Sequence, residues 1–113
     1  MDIKESDWKV FRRLHSVALE RYCQRVLEEV KLATACHDSY HDCYLKVYRL
    51  MQDRDKTMAR AFDDLRRSTA LMRLVNIINE GLLTEEELKQ FSQELQGRIN
   101  AIKSCPAHDK RCN

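Results

Sequence analysis

Apolar residues recur every three or four positions from Trp8 to Val75, and neither glycine nor proline interrupts the chain before Gly81. That spacing is the period of an amphipathic helix, and glycine and proline are the commonest breakers of regular structure. The first helix is expected over about 6–35, with Ser6 or Asp7 as its cap. Its inward face reads Trp8, Phe11, Leu14, Ala18, Tyr22, Val26, Val30 and Ala33. Val17, Leu19, Cys23 and Leu27 widen that stripe beyond what one partner helix covers.

Thr34 to Tyr40 reads as a turn, because His37, Asp38 and Ser39 are weak helix formers. Ser39 followed by Asp42 has the form of a capping box. A second helix is expected over 39–80, with an apolar face of Tyr40, Tyr44, Val47, Met51, Met58, Phe62, Leu65, Met72 and Val75. The polar run at 52–57 is the one place where this pattern admits a break, which would make four helices. The pairs Arg49–Asp53, Arg60–Asp64 and Asp63–Arg67 lie one helical turn apart and support helix in water.

The sharpest punctuation is Asn79-Glu80-Gly81-Leu82-Leu83-Thr84-Glu85-Glu86-Glu87-Leu88. Gly81 stands where a left-handed residue ends a helix. Thr84 and Glu87 make a capping box, and Leu83 and Leu88 occupy the positions of a hydrophobic staple. A third helix is expected over 84–103, carrying Leu88, Phe91, Leu95, Ile99 and Ile102 on one face. The fold class is therefore all-α: an elongated antiparallel bundle of three helices. It forms one domain over 1–113, with a polar tail at 104–113. A thin rod would leave Leu71, Leu74, Ile77 and Ile78 exposed, and a homodimer would cover them.

Composition narrows the class. Hydrophobic residues are 43% and charged residues 34% of the 113, too apolar for a disordered chain and too charged for a membrane span. The start Met1-Asp2-Ile3-Lys4-Glu5 lacks the apolar core of a signal peptide, so the cytoplasm is the expected location. Net charge is +2, yet it is uneven. Residues 45–75 hold eight basic against four acidic side chains, while 80–94 hold five glutamates and one lysine. Arg60, Arg66, Arg67 and Arg73 are the candidate partner-binding residues on this basic stretch. The same four could contact nucleic acid, although +2 is a small footprint for that.

The candidate metal ligands are Cys36, His37, His41 and Cys43. Thiolate and imidazole suit zinc, but the paired spacing of two to four residues found in zinc modules is absent. The odd count of five cysteines and the missing secretion signal argue against a disulfide framework. There is no glycine-rich phosphate loop and no local nucleophile–base motif. The expectation is a small interaction or adaptor protein without catalytic activity, acting as a homodimer and on another protein. The alternatives are a metal- or thiol-dependent regulator built on Cys36–Cys43 and a weak nucleic-acid binder.

Overall fold

The computed structural model describes residues 3–35 and 39–103, with only the backbone of Lys103. Every regular element among them is a helix: α1 (Glu5–Thr34), α2 (Tyr40–Phe62), α3 (Ala70–Asn79), α4 (Glu85–Leu88) and α5 (Gln93–Lys103). The all-α bundle expected from the periodicity is what forms. It measures 53 × 30 × 24 Å. No helix is long and apolar enough to cross a membrane among these residues.

In α1 the buried stripe is Phe11, Leu14, Ala18, Tyr22 and Val26, with Trp8 and Val30 packed at its edge. The helix starts earlier than expected. Lys4 is the capping residue and makes no side-chain cap, while Ser6 and Asp7 lie inside the first turn. At the start of α2 the expected cap forms: Asp42 N–H donates to Ser39 Oγ at 3.1 Å.

Helix 2 does not run to residue 80, and its break is not at 52–57, which is helical. It breaks at 63–69, between α2 and α3. The reason is tertiary. Phe62 and Ala61 reach the core at α1, and a straight continuation would carry Leu74, Val75 and Ile77 away from it. His15 Nε2 donates to the Phe62 carbonyl at 3.1 Å, so this ring holds the end of α2. Its ring also meets Phe62 edge-on, with centroids 5.3 Å apart. Asp63 is extended, and Asp64 takes a left-handed φ of 59°, a conformation aspartate tolerates better than most residues. The freed carbonyls find donors: Arg73 Nε reaches Asp63 O at 2.8 Å and Thr69 Oγ1 reaches Asp64 O at 2.7 Å.

The break corrects two further expectations. Leu74 and Ile77 are buried, and Leu71 and Ile78 pack against the core, so the flank expected to drive dimerisation is spent inside the monomer. The pairs Asp63–Arg67 and Arg60–Asp64 do not form either. Asp64 pairs with Arg66, and Arg67 with Glu5.

After α3 the chain follows its sequence closely. Gly81 has φ 72°. Its N–H bonds to Ile78 O at 2.9 Å, and Leu82 N–H bonds to Ile77 O at 3.4 Å, the two bonds of a Schellman turn. Buried Leu82 supplies the hydrophobic contact that accompanies it. The Thr84–Glu87 capping box closes from both sides, at 2.8 and 3.1 Å. The third helix, however, is not continuous over 84–103. It stops after Leu88 and restarts at Gln93. Phe91 sits in that gap and is buried. Ser92 then caps α5: its Oγ accepts from Leu95 N–H at 3.2 Å. Asp7, buried in α1, accepts from Ser92 N–H at 2.8 Å and from Ser92 Oγ at 2.7 Å. One carboxylate thus holds the capping residue of α5.

The core occupies one end of the molecule. It joins Phe11, Leu14, Ala18 and Tyr22 of α1 to Phe62, Leu74, Ile77, Leu82, Phe91, Leu95 and Ile99. Beyond it α1 and α2 run on together as a two-helix arm. From Leu27 to Arg60 no described residue is buried.

Candidate interaction surface

Two heptad seams run along α2. The first is Cys43, Val47, Leu50, Arg54, Thr57 and Ala61, every member of which is half-buried or buried. It is the seam that meets α1. Arg54 forks onto Glu29 of α1, with Nε–Oε1 2.9 Å and Nη2–Oε2 2.7 Å. The Tyr22 hydroxyl donates to the Arg54 carbonyl at 2.9 Å. The fork holds the Glu29 carboxyl below its ordinary range, and burial pushes the Tyr22 phenol up.

The second seam is Tyr44, Tyr48, Met51, Asp55, Met58 and Phe62, spaced 4, 3, 4, 3, 4. Spacing of this kind presents one continuous stripe to a neighbouring helix. The core covers only its end, at Met58 and Phe62. The rest is open: Tyr44 is 66%, Tyr48 52% and Met51 44% exposed, and Tyr40 one turn before them is 96% exposed. Tyr44 and Tyr48 stack in parallel, with centroids 6.4 Å apart. Gln52 Nε2 donates to the Tyr48 hydroxyl at 3.1 Å. Leu27 and Leu32 of α1 are also exposed on the arm.

The exposure of Tyr40, Tyr44, Met51, Leu65 and Met72 corrects the expected core face of helix 2. The expected face mixed the two seams, taking Val47 from the first and Tyr44, Met51 and Met58 from the second, and it ran past the break into α3. Periodicity could not say that the helices able to cover the second seam end short of the arm.

A cleft of about 510 Å³ lies where the arm joins the core, lined by Tyr22, Arg25, Glu29, Arg54, Thr57 and Glu80. Its charges are already engaged. Arg25 donates to the Glu80 carbonyl at 2.8 Å and its carboxylate at 3.1 Å, and lies over the Tyr22 ring at 5.4 Å. With Arg54 on Glu29, these pairs fasten α1 to α2 and to the end of α3. They are a clasp, and they offer no unengaged carboxylate pair for acid–base work.

A second clasp fixes α4. Arg21 forks onto Glu87 at 2.7 and 2.9 Å and also donates to Leu82 O at 2.8 Å. This guanidinium and the Thr84 N–H hold the Glu87 carboxyl down at about 2, against an ordinary 4.5. A carboxylate depressed on folding adds stability that is complete above its unfolded value and is lost as the pH falls through its folded one. Urea melts are expected to show about 1–2 kcal/mol of such loss between pH 4.5 and 2, the figure discounted because Arg21 is partly exposed. In Glu87→Gln, which keeps a capping-box side chain, that part of the acid dependence should vanish. An unchanged pH profile in the variant would assign it elsewhere.

Of the candidate metal ligands, Cys36 and His37 lie outside the described residues. His41 is exposed in the first turn of α2 and Cys43 is half-buried on the seam facing α1. Residues two apart on a helix point to different sides, so His41 and Cys43 do not converge. Among the described residues no group of three histidine, cysteine or acidic side chains could hold a metal ion. The basic residues fare similarly. Arg66 forks onto Asp64 at 2.6 and 2.7 Å, Arg67 Nε reaches Ile3 O at 2.7 Å, and Arg73 holds Asp63 O. These three hold the 63–69 turn and the N-terminal segment in place, and only Arg60 of the four stands on regular helix α2, where it is exposed.

Sequence reasoning placed Asp7 only as a candidate cap of the first helix, and passed over His15, Ser92 and the Arg21–Glu87 pair. No local pattern announces them, since each acts on a residue 47 to 85 positions away. The open seam did carry a signal, the second heptad of α2. Comparison with protein-family models, with curated proteins and with solved structures finds no match for this chain.

Proposed function

We propose that this protein is a helical interaction module that acts by binding another helix along the arm, without chemistry of its own. The observation that carries the reading is the open seam Tyr44-Tyr48-Met51 on an arm where no described residue between Leu27 and Arg60 is buried. Exposed large apolar side chains grouped in one stripe cost solubility and mark contact surfaces. Tyrosine and methionine are well suited to such a surface. Tyrosine offers a large ring at low entropic cost, and methionine adapts to its partner. The clasps at Arg25–Glu80 and Arg54–Glu29 support the same reading, because they brace the root of the arm against the core.

The test is affinity capture with the whole chain and with Tyr44→Glu/Tyr48→Glu. Both positions are exposed, so the variant should keep its helical content and its melting temperature. The expected result is loss of the proteins that the unaltered chain retains. Identical captured sets from the two chains would overturn the reading.

A further inference from the structure

The open seam of α2 fits a second copy of itself. Resting on the interaction reading above, we propose that the protein forms a symmetric antiparallel dimer, α2 against α2, centred between Tyr48 and Met51. Three features of the arm support this pairing over another occupant.

The first is length. A two-fold axis at that point places residue i beside residue 99 minus i of the other copy. Tyr40, at the tip of one arm, then lies beside Ala59. The core of the other copy begins two residues later, at Ala61 and Phe62. Each α2 therefore runs along the whole open seam of the other, from Tyr44 to Asp55, and its first turn reaches Met58, where the core already packs. The span is about 29 Å at 1.5 Å per residue.

The second is polarity. Asp55 is the one charged member of the seam, and a charge on a helix–helix seam must find a partner. In this register Asp55 faces Tyr44 of the other copy, whose hydroxyl can donate to the carboxylate. The symmetry forms that bond twice. Tyr48 faces Met51, a ring against a thioether, which is a favourable contact. Both pairings are self-complementary, as a two-fold interface requires.

The third is area. At roughly 200 Å² for each aromatic side chain, the exposed parts of Tyr40, Tyr44, Tyr48 and Met51 come to about 500 Å² per copy. With His41, Gln52 and Asp55 beside them, this approaches the roughly 800 Å² per partner of a stable interface. A micromolar dimer is the corresponding expectation.

The experiment is sedimentation equilibrium of the whole reduced chain between about 1 and 200 µM. The mass should rise with concentration from 13.4 kDa toward twice that value. Tyr48→Asp should raise the dimer Kd at least about thirtyfold with an unchanged far-ultraviolet circular dichroism spectrum. The register has its own test in a chain whose five cysteines are serine. A mixture of its Tyr48→Cys and Met51→Cys variants should form a cross-disulfide faster than either variant alone. A monomer at 200 µM, or a dimer indifferent to Tyr48→Asp, would overturn the proposal. Faster coupling of Tyr48→Cys with itself would overturn the register. A monomer whose arm still captures other proteins refutes the dimer and leaves the interaction reading intact. A dimer whose capture ignores the arm substitutions does the reverse.

Discussion

Truncating Phe11 to alanine is expected to lower stability by about 3–5 kcal/mol, the range for removing a fully buried aromatic side chain. Phe11 is 0% exposed. It packs between Trp8 at 6.2 Å and the edge of His15 at 5.8 Å, and through His15 it supports the end of α2. A cavity there cannot close by local movement, because neighbours from several helices share it. A domain of this size has a net stability on the order of 10 kcal/mol, so the loss is a large part of the whole. Tyr44→Ala is the natural control. It removes a similar ring from a similar helix, but one 66% exposed, and should change stability by less than about 0.5 kcal/mol. Urea midpoints of the two variants decide the matter. Equal losses would mean that the arm is packed as tightly as the core, contrary to the burial of the two residues.

Replacing Asp7 by alanine should cost about 2–3 kcal/mol, since it removes a charged acceptor and strands its donors. The carboxylate is 3% exposed and takes both the N–H and the hydroxyl of Ser92. Ser92 in turn caps α5 through Leu95 N–H. The effect should therefore be local as well as global. Amides of 93–103 should exchange with solvent markedly faster, while those of α1 and α2 should change only with overall stability. Asp7→Asn keeps one acceptor and should recover about half of the loss. Protection of α5 as in the unaltered chain would show that Ser92 and its helix do not depend on this carboxylate. Lys4–Glu94 at 3.4 Å also joins the two helices, but both side chains are more than half exposed, and such pairs contribute little.

Much of the local structure was legible in the residues. The buried face of α1, the Ser39 cap, the left-handed Gly81 and the Thr84–Glu87 capping box all appear where the sequence placed them. Each of these depends on residues within about four positions, or on one helical period. The breaks at 63–69 and 89–92 were not legible. Asp63-Asp64-Leu65-Arg66-Arg67 is compatible with helix, and it turns because His15, Arg67 and Arg73 gain distant carbonyls when it does. Phe91 likewise enters the core from a gap, with Asp7 holding the residue beside it. The candidate site divides in the same way. Tyr44 and Met51 belonged to the expected apolar face and Tyr48 did not, and the exposure of all three was not legible, because α3 to α5 end at the core and leave the arm alone.

By itself the sequence determined that the chain is helical, which face of α1 is apolar, and where the third segment begins. Periodicity, capping and glycine act over a few residues, so composition and order suffice. Only the tertiary structure decided where the second helix ends, which apolar stripe is buried and which is left open, and that the arginines at 66, 67 and 73 bond within the chain to the turn and the N-terminal segment. Those outcomes depend on which distant groups are near enough to bond or to exclude water. That proximity exists only once Phe11, Leu14, Tyr22, Leu74 and Leu95 have packed together.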